Sequence, residues 1–171
     1  MPRFLILLAA LLLSGCVTYS GGGGYADKVG SYLNYSTKSG RMAVVVVGDP
    51  VPGGAEKIKA MIVRALDANF ASLKSDFVPT PVTVPAPDKF LFAFDSEFTT
   101  FSSEICRNPA AVKTDHQGAK MRIGAIYCSD GAISQVWANL DRVRSADDPV
   151  LAEVIDGLAF RLVPTRQRQI Y

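Results

Sequence analysis

Hydrophobic positions divide the chain into an oily start, a polar lead and a patterned body. Phe4 to Leu13 is a run of ten consecutive apolar residues, with Arg3 as the charge ahead of it. Residues 19 to 40 have no sustained apolar period and hold six glycines, the composition of a flexible tether. Met42 to Val47 is a valine-rich run without alternation, which predicts a strand covered on both faces. From Ala55 to Leu73, Ile58, Met61, Ile62, Ala65, Leu66, Phe70 and Leu73 recur at three and four, predicting a helix with its lysines on the other side. Residues 79 to 88, PTPVTVPAPD, carry four prolines and predict an extended connector.

Phe90, Phe92 and Phe94 alternate with Leu91 and Ala93, the pattern of a strand with one aromatic face. Met121 to Cys128 and Ala132 to Leu140 flank Ser129-Asp130-Gly131, a hairpin signal. Asp148 before Pro149 reads as an N-cap opening a second helix, lined by Leu151, Ile155, Leu158 and Leu162. The order strand, helix, strand, hairpin, helix predicts one α+β domain over 41–171. Two helices would pack on one face of a mixed, mainly antiparallel sheet of about four strands.

Composition changes this picture little. The 171 residues fit a single domain, and 18 basic against 16 acidic side chains leave no field to draw nucleic acid. The first residues change it more. A ten-residue helix rises only about 15 Å, half of a ~30 Å hydrocarbon core, so residues 1–15 read as a signal peptide to be removed. Leu13-Ser14-Gly15-Cys16 then resembles the lipobox of bacterial lipoproteins. That resemblance implies a diacylglyceryl thioether on Cys16, cleavage just before it, and residues 16–40 as a lipidated tether. Val17 and Thr18 follow the cysteine where an aspartate would favour the inner membrane, which implies the periplasmic leaflet of the outer membrane. Two or three acyl chains, at about 0.8 kcal/mol per buried methylene, would anchor the domain firmly.

With Cys16 lipidated, Cys106 and Cys128 are the thiols left, and an oxidising compartment predicts their disulfide. A zinc or thiol site built from Cys106, His116 and Cys128 is the rival, weakened by the lack of a tight Cys-x-x-Cys pair. His116 is the sole histidine and lies in a polar run, with no nucleophile-elbow serine anywhere. Asp95, Glu97 and Glu104 are acids available for acid/base work, yet also natural solvating residues after an aromatic strand. Gly48 and Gly53 have P-loop spacing, but Gly54 stands where the lysine belongs. Phe98 and Phe101 either complete the core or, with Trp137, form a surface for a partner or an apolar ligand. Arg161, Arg166 and Arg168 make the carboxyl end basic, with a solvated tail or a polyanion contact as its uses.

These features predict a membrane-anchored, non-enzymatic interaction or scaffold module of the envelope. Its expected partners are the bilayer, through acylated Cys16, and an envelope protein, with no cofactor, metal or nucleic acid. The alternative is an apolar-ligand or lipid-binding module using the phenylalanine-rich face.

Overall fold

The computed structural model describes residues 17–24, 29–96, 103–114 and 118–162. Its elements are β1 (Thr18–Gly24), α1 (Val29–Ser36), β2 (Arg41–Val47), α2 (Ala55–Asn69), β3 (Asp76–Pro79), β4 (Asp88–Phe94), α3 (Ser103–Arg107), β5 (Lys120–Ser129), β6 (Ala132–Asp141) and α4 (Pro149–Arg161). The class is α+β, but the sheet has six strands in the order β1-β6-β5-β4-β2-β3. It is mixed, with three antiparallel and two parallel pairings, and not mainly antiparallel. β4, β5, β6 and β1 pair antiparallel, whereas β2 runs parallel to both β3 and β4.

The parallel half follows from α2. A strand that feeds a packed helix returns beside itself in the same direction, so β2-α2-β3 cannot be a hairpin. β3 is short and sits at the edge, where Pro79 removes a donor that no neighbour needs.

Alternation along β4 decides the layers. Phe90, Phe92 and Phe94 are fully buried beneath α2 and α4, which contribute Ile58, Ile62 and Leu66 and Leu151, Val154, Ile155 and Leu158. Asp148 caps α4 as its sequence predicts, its side chain accepting from the Val150 amide at 3.0 Å. Leu91 and Ala93 point to the opposite face and are equally buried, with Val45, Val47, Ile126 and Trp137, under Ile105 and Cys106 of α3. The sheet is therefore covered on both sides, not on one.

The flexible tether expected over 16–40 is corrected. Thr18 to Gly21 pair with Asn139 to Val136 of β6, and α1 buries Val29 and Leu33 in the core with the phenylalanines. The four-glycine run misled because a strand needs no side chains where its neighbour supplies the ladder. Gly21 also has φ +118, and an added Cβ there would lie 3.0 Å from the Val136 Cα. Of the lead's tyrosines, Tyr19 lies against α4 with the Arg161 guanidinium 3.9 Å over its ring, while Tyr35 is exposed. Tyr25 and Cys16 lie outside the described residues.

α1 also closes over Tyr127 of β5, whose hydroxyl meets the Ser36 hydroxyl at 2.9 Å. Burial pushes this phenol up to about 12, the hydrogen bond from Ser36 opposing the shift. In the unfolded chain a tyrosine ionises near pH 10. The stability tied to the neutral phenol is thus fully present below about pH 10 and is lost as pH rises through the folded value, by roughly 2–3 kcal/mol. The urea midpoint should fall between about pH 9 and about pH 11.5 for the parent, and much less for Tyr127→Phe. Comparing the two proteins cancels other alkaline titrations.

Register also gives the sheet two distinct ends. Thr18 is opposite Asn139, Lys120 opposite Asp141 and Phe94 opposite Ile123, so the start of β1 lies with the ends of β4 and β6. At the other end Asp88 faces Ser129, next to the β5–β6 turn. β5 has ten residues, which separates the two ends by roughly 30 Å.

Candidate functional site

The end remote from Thr18 carries a cleft of about 590 Å³. One wall is the proline-rich segment Val82 to Pro87, the other is Cys106 to Ala110, and Asp130 and Gly131 close it. The extended connector expected here is corrected: the first wall opens on a turn in which the Val84 amide donates to the Pro81 carbonyl at 3.0 Å, and Pro85 and Pro87 have no amide to give a neighbouring strand. The second wall is held by chemistry: Cys106 of α3 is disulfide-bonded to Cys128 of β5, with Cα atoms 5.7 Å apart. Closing a loop of 22 residues in this way contributes roughly 3 kcal/mol on the chain-entropy account. The bond consumes both sulfurs, which removes the zinc or thiol alternative.

Lys89 lies at the foot of the cleft. It is directly opposite Cys128 in the β4–β5 register and shares the face of Leu91 and Ala93. Only 5% of it is exposed. Its ammonium donates to the Ala86 carbonyl at 2.7 Å and to the Cys106 carbonyl at 2.6 Å, joining the two walls. Burial lowers its pKa from the usual lysine range, the nearby Asp88 carboxylate working against that. The disulfide and the lysine are thus one device, since the S–S bond brings the Cys106 carbonyl over the ammonium. Arg107, exposed on the rim, adds a second cation, and Asp130 is the one carboxylate among the described residues of the lining.

Of the residues singled out from sequence, Cys106 and Cys128 shape this site through their disulfide, and the others do not assemble into it. Phe98, Phe101, His116 and Glu97 lie outside the described residues. Trp137 is 5% exposed, and it sits on the opposite side of the sheet from Phe90, Phe92 and Phe94. The phenylalanine face itself is filled by α2 and α4. Asp95 is 6% exposed, bonded by Arg142 at 2.7 Å and reached by the Arg122 amide at 3.3 Å, which makes it the brace of the β4–β5 end. Glu104 stands exposed on α3, on another element. Gly48 has φ +88, and a Cβ there would meet the Phe94 carbonyl oxygen at 2.6 Å, so close packing accounts for this glycine without a phosphate. Arg161 is committed to Tyr19 and to the Gly157 carbonyl; Arg166 and Arg168 lie outside the described residues. No group of three metal-ligating side chains occurs among the described residues, and no described helix is long and apolar enough to cross a membrane.

Lys89 escaped sequence reasoning although a signal was present. In KFLFAF the phenylalanines claim one face, so Lys89 must share the other with Leu91 and Ala93. A lysine in register with apolar residues just after a proline-rich stretch marks a charge held inside.

No family model matches the sequence, and no curated protein matches it. Two solved structures similar to it are dodecamers of PelC from Paraburkholderia phytofirmans. One, a PelC variant, is 12% identical, with 86% of this chain and 97% of that chain covered at a TM-score of 0.41. The other is 12% identical, with 86% and 94% covered at a TM-score of 0.38.

Proposed function

We propose that this chain is an envelope lipoprotein, anchored through acylated Cys16 in the periplasmic leaflet of the outer membrane. Its domain acts as a non-enzymatic interaction module that offers the proline-walled cleft to a protein partner. The observation that carries this reading is the placement of β1. Thr18 is two residues from Cys16, and two residues of extended chain span at most about 7 Å. An anchor on Cys16 would therefore hold the Thr18 end of the sheet at the headgroups and raise the cleft roughly 30 Å above them. The Cys106–Cys128 disulfide supports an oxidising compartment. The cleft, with apolar walls and few charges, has the make-up of a recognition site.

Two measurements test this. Cys16→Ala is expected to move the protein from the membrane fraction to the soluble fraction, and continued sedimentation with membranes would overturn the anchor. In the lipidated protein, a spin label at Thr18 should be relaxed by a headgroup-bound paramagnet and one at Asp130 should not. Equal relaxation at both positions would reject the upright orientation.

A further inference from the structure

We infer that the cleft receives the terminal carboxylate of a peptide chain, with the Lys89 ammonium as its counter-ion. The inference deepens the recognition role proposed above and rests on it for a partner.

The argument begins with the charge. An ammonium has three protons to donate, and Lys89 gives two of them to the carbonyls of Ala86 and Cys106. Both acceptors are neutral. Among the described residues no carboxylate lies within 4.0 Å of Lys89, whereas Lys57, Lys59, Lys120 and Arg142 each have one. Those four are more exposed than Lys89, and the other described lysines without a carboxylate partner, Lys38, Lys74 and Lys113, are exposed to water, so Lys89 is the buried lysine left without an anion. A cation held in a cleft, fixed by two walls and left one donor short, is arranged to meet an incoming negative charge.

The form of that charge follows from the surroundings. A phosphate would require several convergent donors, whereas one ammonium proton and the Arg107 fork on the rim suit a singly charged carboxylate. Val82, Pro85, Pro87 and Pro109 offer apolar contact above the lysine. A ligand reaching the foot of the cleft must therefore carry its charge at its tip and apolar bulk behind it. The end of a polypeptide does this: the carboxylate meets Lys89 and the last side chains lie against the prolines. The volume of about 590 Å³ is within the range of sites that enclose small ligands and so fits a few residues.

The test uses the full chain in detergent micelles, titrated with a pool of N-acetylated tripeptides of alanine, valine and leucine. Three forms are compared: free terminal acids, terminal amides, and terminal amides carrying an internal glutamate. The acids are expected to bind in the micromolar to millimolar range and to shift the Lys89 Nζ resonance, with both amides at least tenfold weaker. Equal binding of acid and amide, or no binding of the acids at millimolar concentration, would overturn the proposal, and preference for the glutamate amides would transfer the site to side-chain carboxylates. Lys89→Met should abolish the acid preference. Should that variant fail to fold, the comparison of acid with amide on the parent still decides. The outcome is separable from the anchoring reading, because acid selectivity is measured in micelles and does not depend on where Cys16→Ala fractionates.

Discussion

A chain shortened to begin at Arg41 is expected to remain unfolded in buffer, with neither the circular dichroism nor the amide dispersion of the parent. Such a cut would be harmless to a domain on a leash. Here it removes β1, which covers the edge of β6, and α1, whose Val29 and Leu33 are 0% and 1% exposed within the main core. Leu33→Ala alone should cost about 2–5 kcal/mol, the range for a fully buried leucine that leaves a cavity. A domain of this size has only about 5–15 kcal/mol to lose. The truncation also takes Tyr19 from beneath Arg161, the Ser36 partner of Tyr127 and the strand that shields β6. Cooperative unfolding of the shortened chain within about 1 kcal/mol of the parent would show that the lead does not belong to the core.

The second large effect is expected from one methyl group. Gly124 of β5 faces Trp137 of β6, and a Cβ on Gly124 would lie 2.1 Å from the indole Cζ3 and 2.5 Å from Cε3. The ring lies on the bare backbone. In most strands glycine to alanine gains stability, about 0.5–1 kcal/mol, because the chain loses less entropy on folding. Here the sign reverses. Gly124→Ala must lift an indole that is 5% exposed among Leu91, Ile126 and Cys128, at a cost of about 3 kcal/mol. For a domain this long that lowers the Tm by roughly 10 °C. The cause can be isolated. With Trp137→Ala as background the same glycine change should cost little, giving a coupling above about 1 kcal/mol in a double-mutant cycle. Additive effects would show that the indole is not the obstacle.

Local patterns foretold much of this fold. The period of α2, the cap of α4, the alternation of β4 and the Asp130-Gly131 turn all lie where neighbouring residues dictate them. The parts that were not legible depend on partners far away in sequence. Thr18 to Gly24 lacks any strand signature because β6 supplies the pairing, and α1 looked like linker because its buried face is only Val29, Gly30 and Leu33. The disulfide was readable from the number of cysteines, but its second effect was not. That Cys106 brings its carbonyl to Lys89 depends on α3 crossing the sheet at that height. The cleft was hidden for the same reason: Val82 to Pro87 and Cys106 to Ala110 become neighbours only in three dimensions.

The pairing of β1 with β6 bears on the order in which the molecule can assemble. Thr18 belongs to the first strand of the sheet in chain order, and its partner Asn139 lies near the end of the last. β4, β5 and β6 can form early from nearer neighbours, but β6 keeps an open side until β1 reaches it across all the intervening strands. During that interval the bare edge could zip onto another copy. Glycines in the returning strand carry no bulk that must interlock, which suits a piece that has to arrive late and close the sheet.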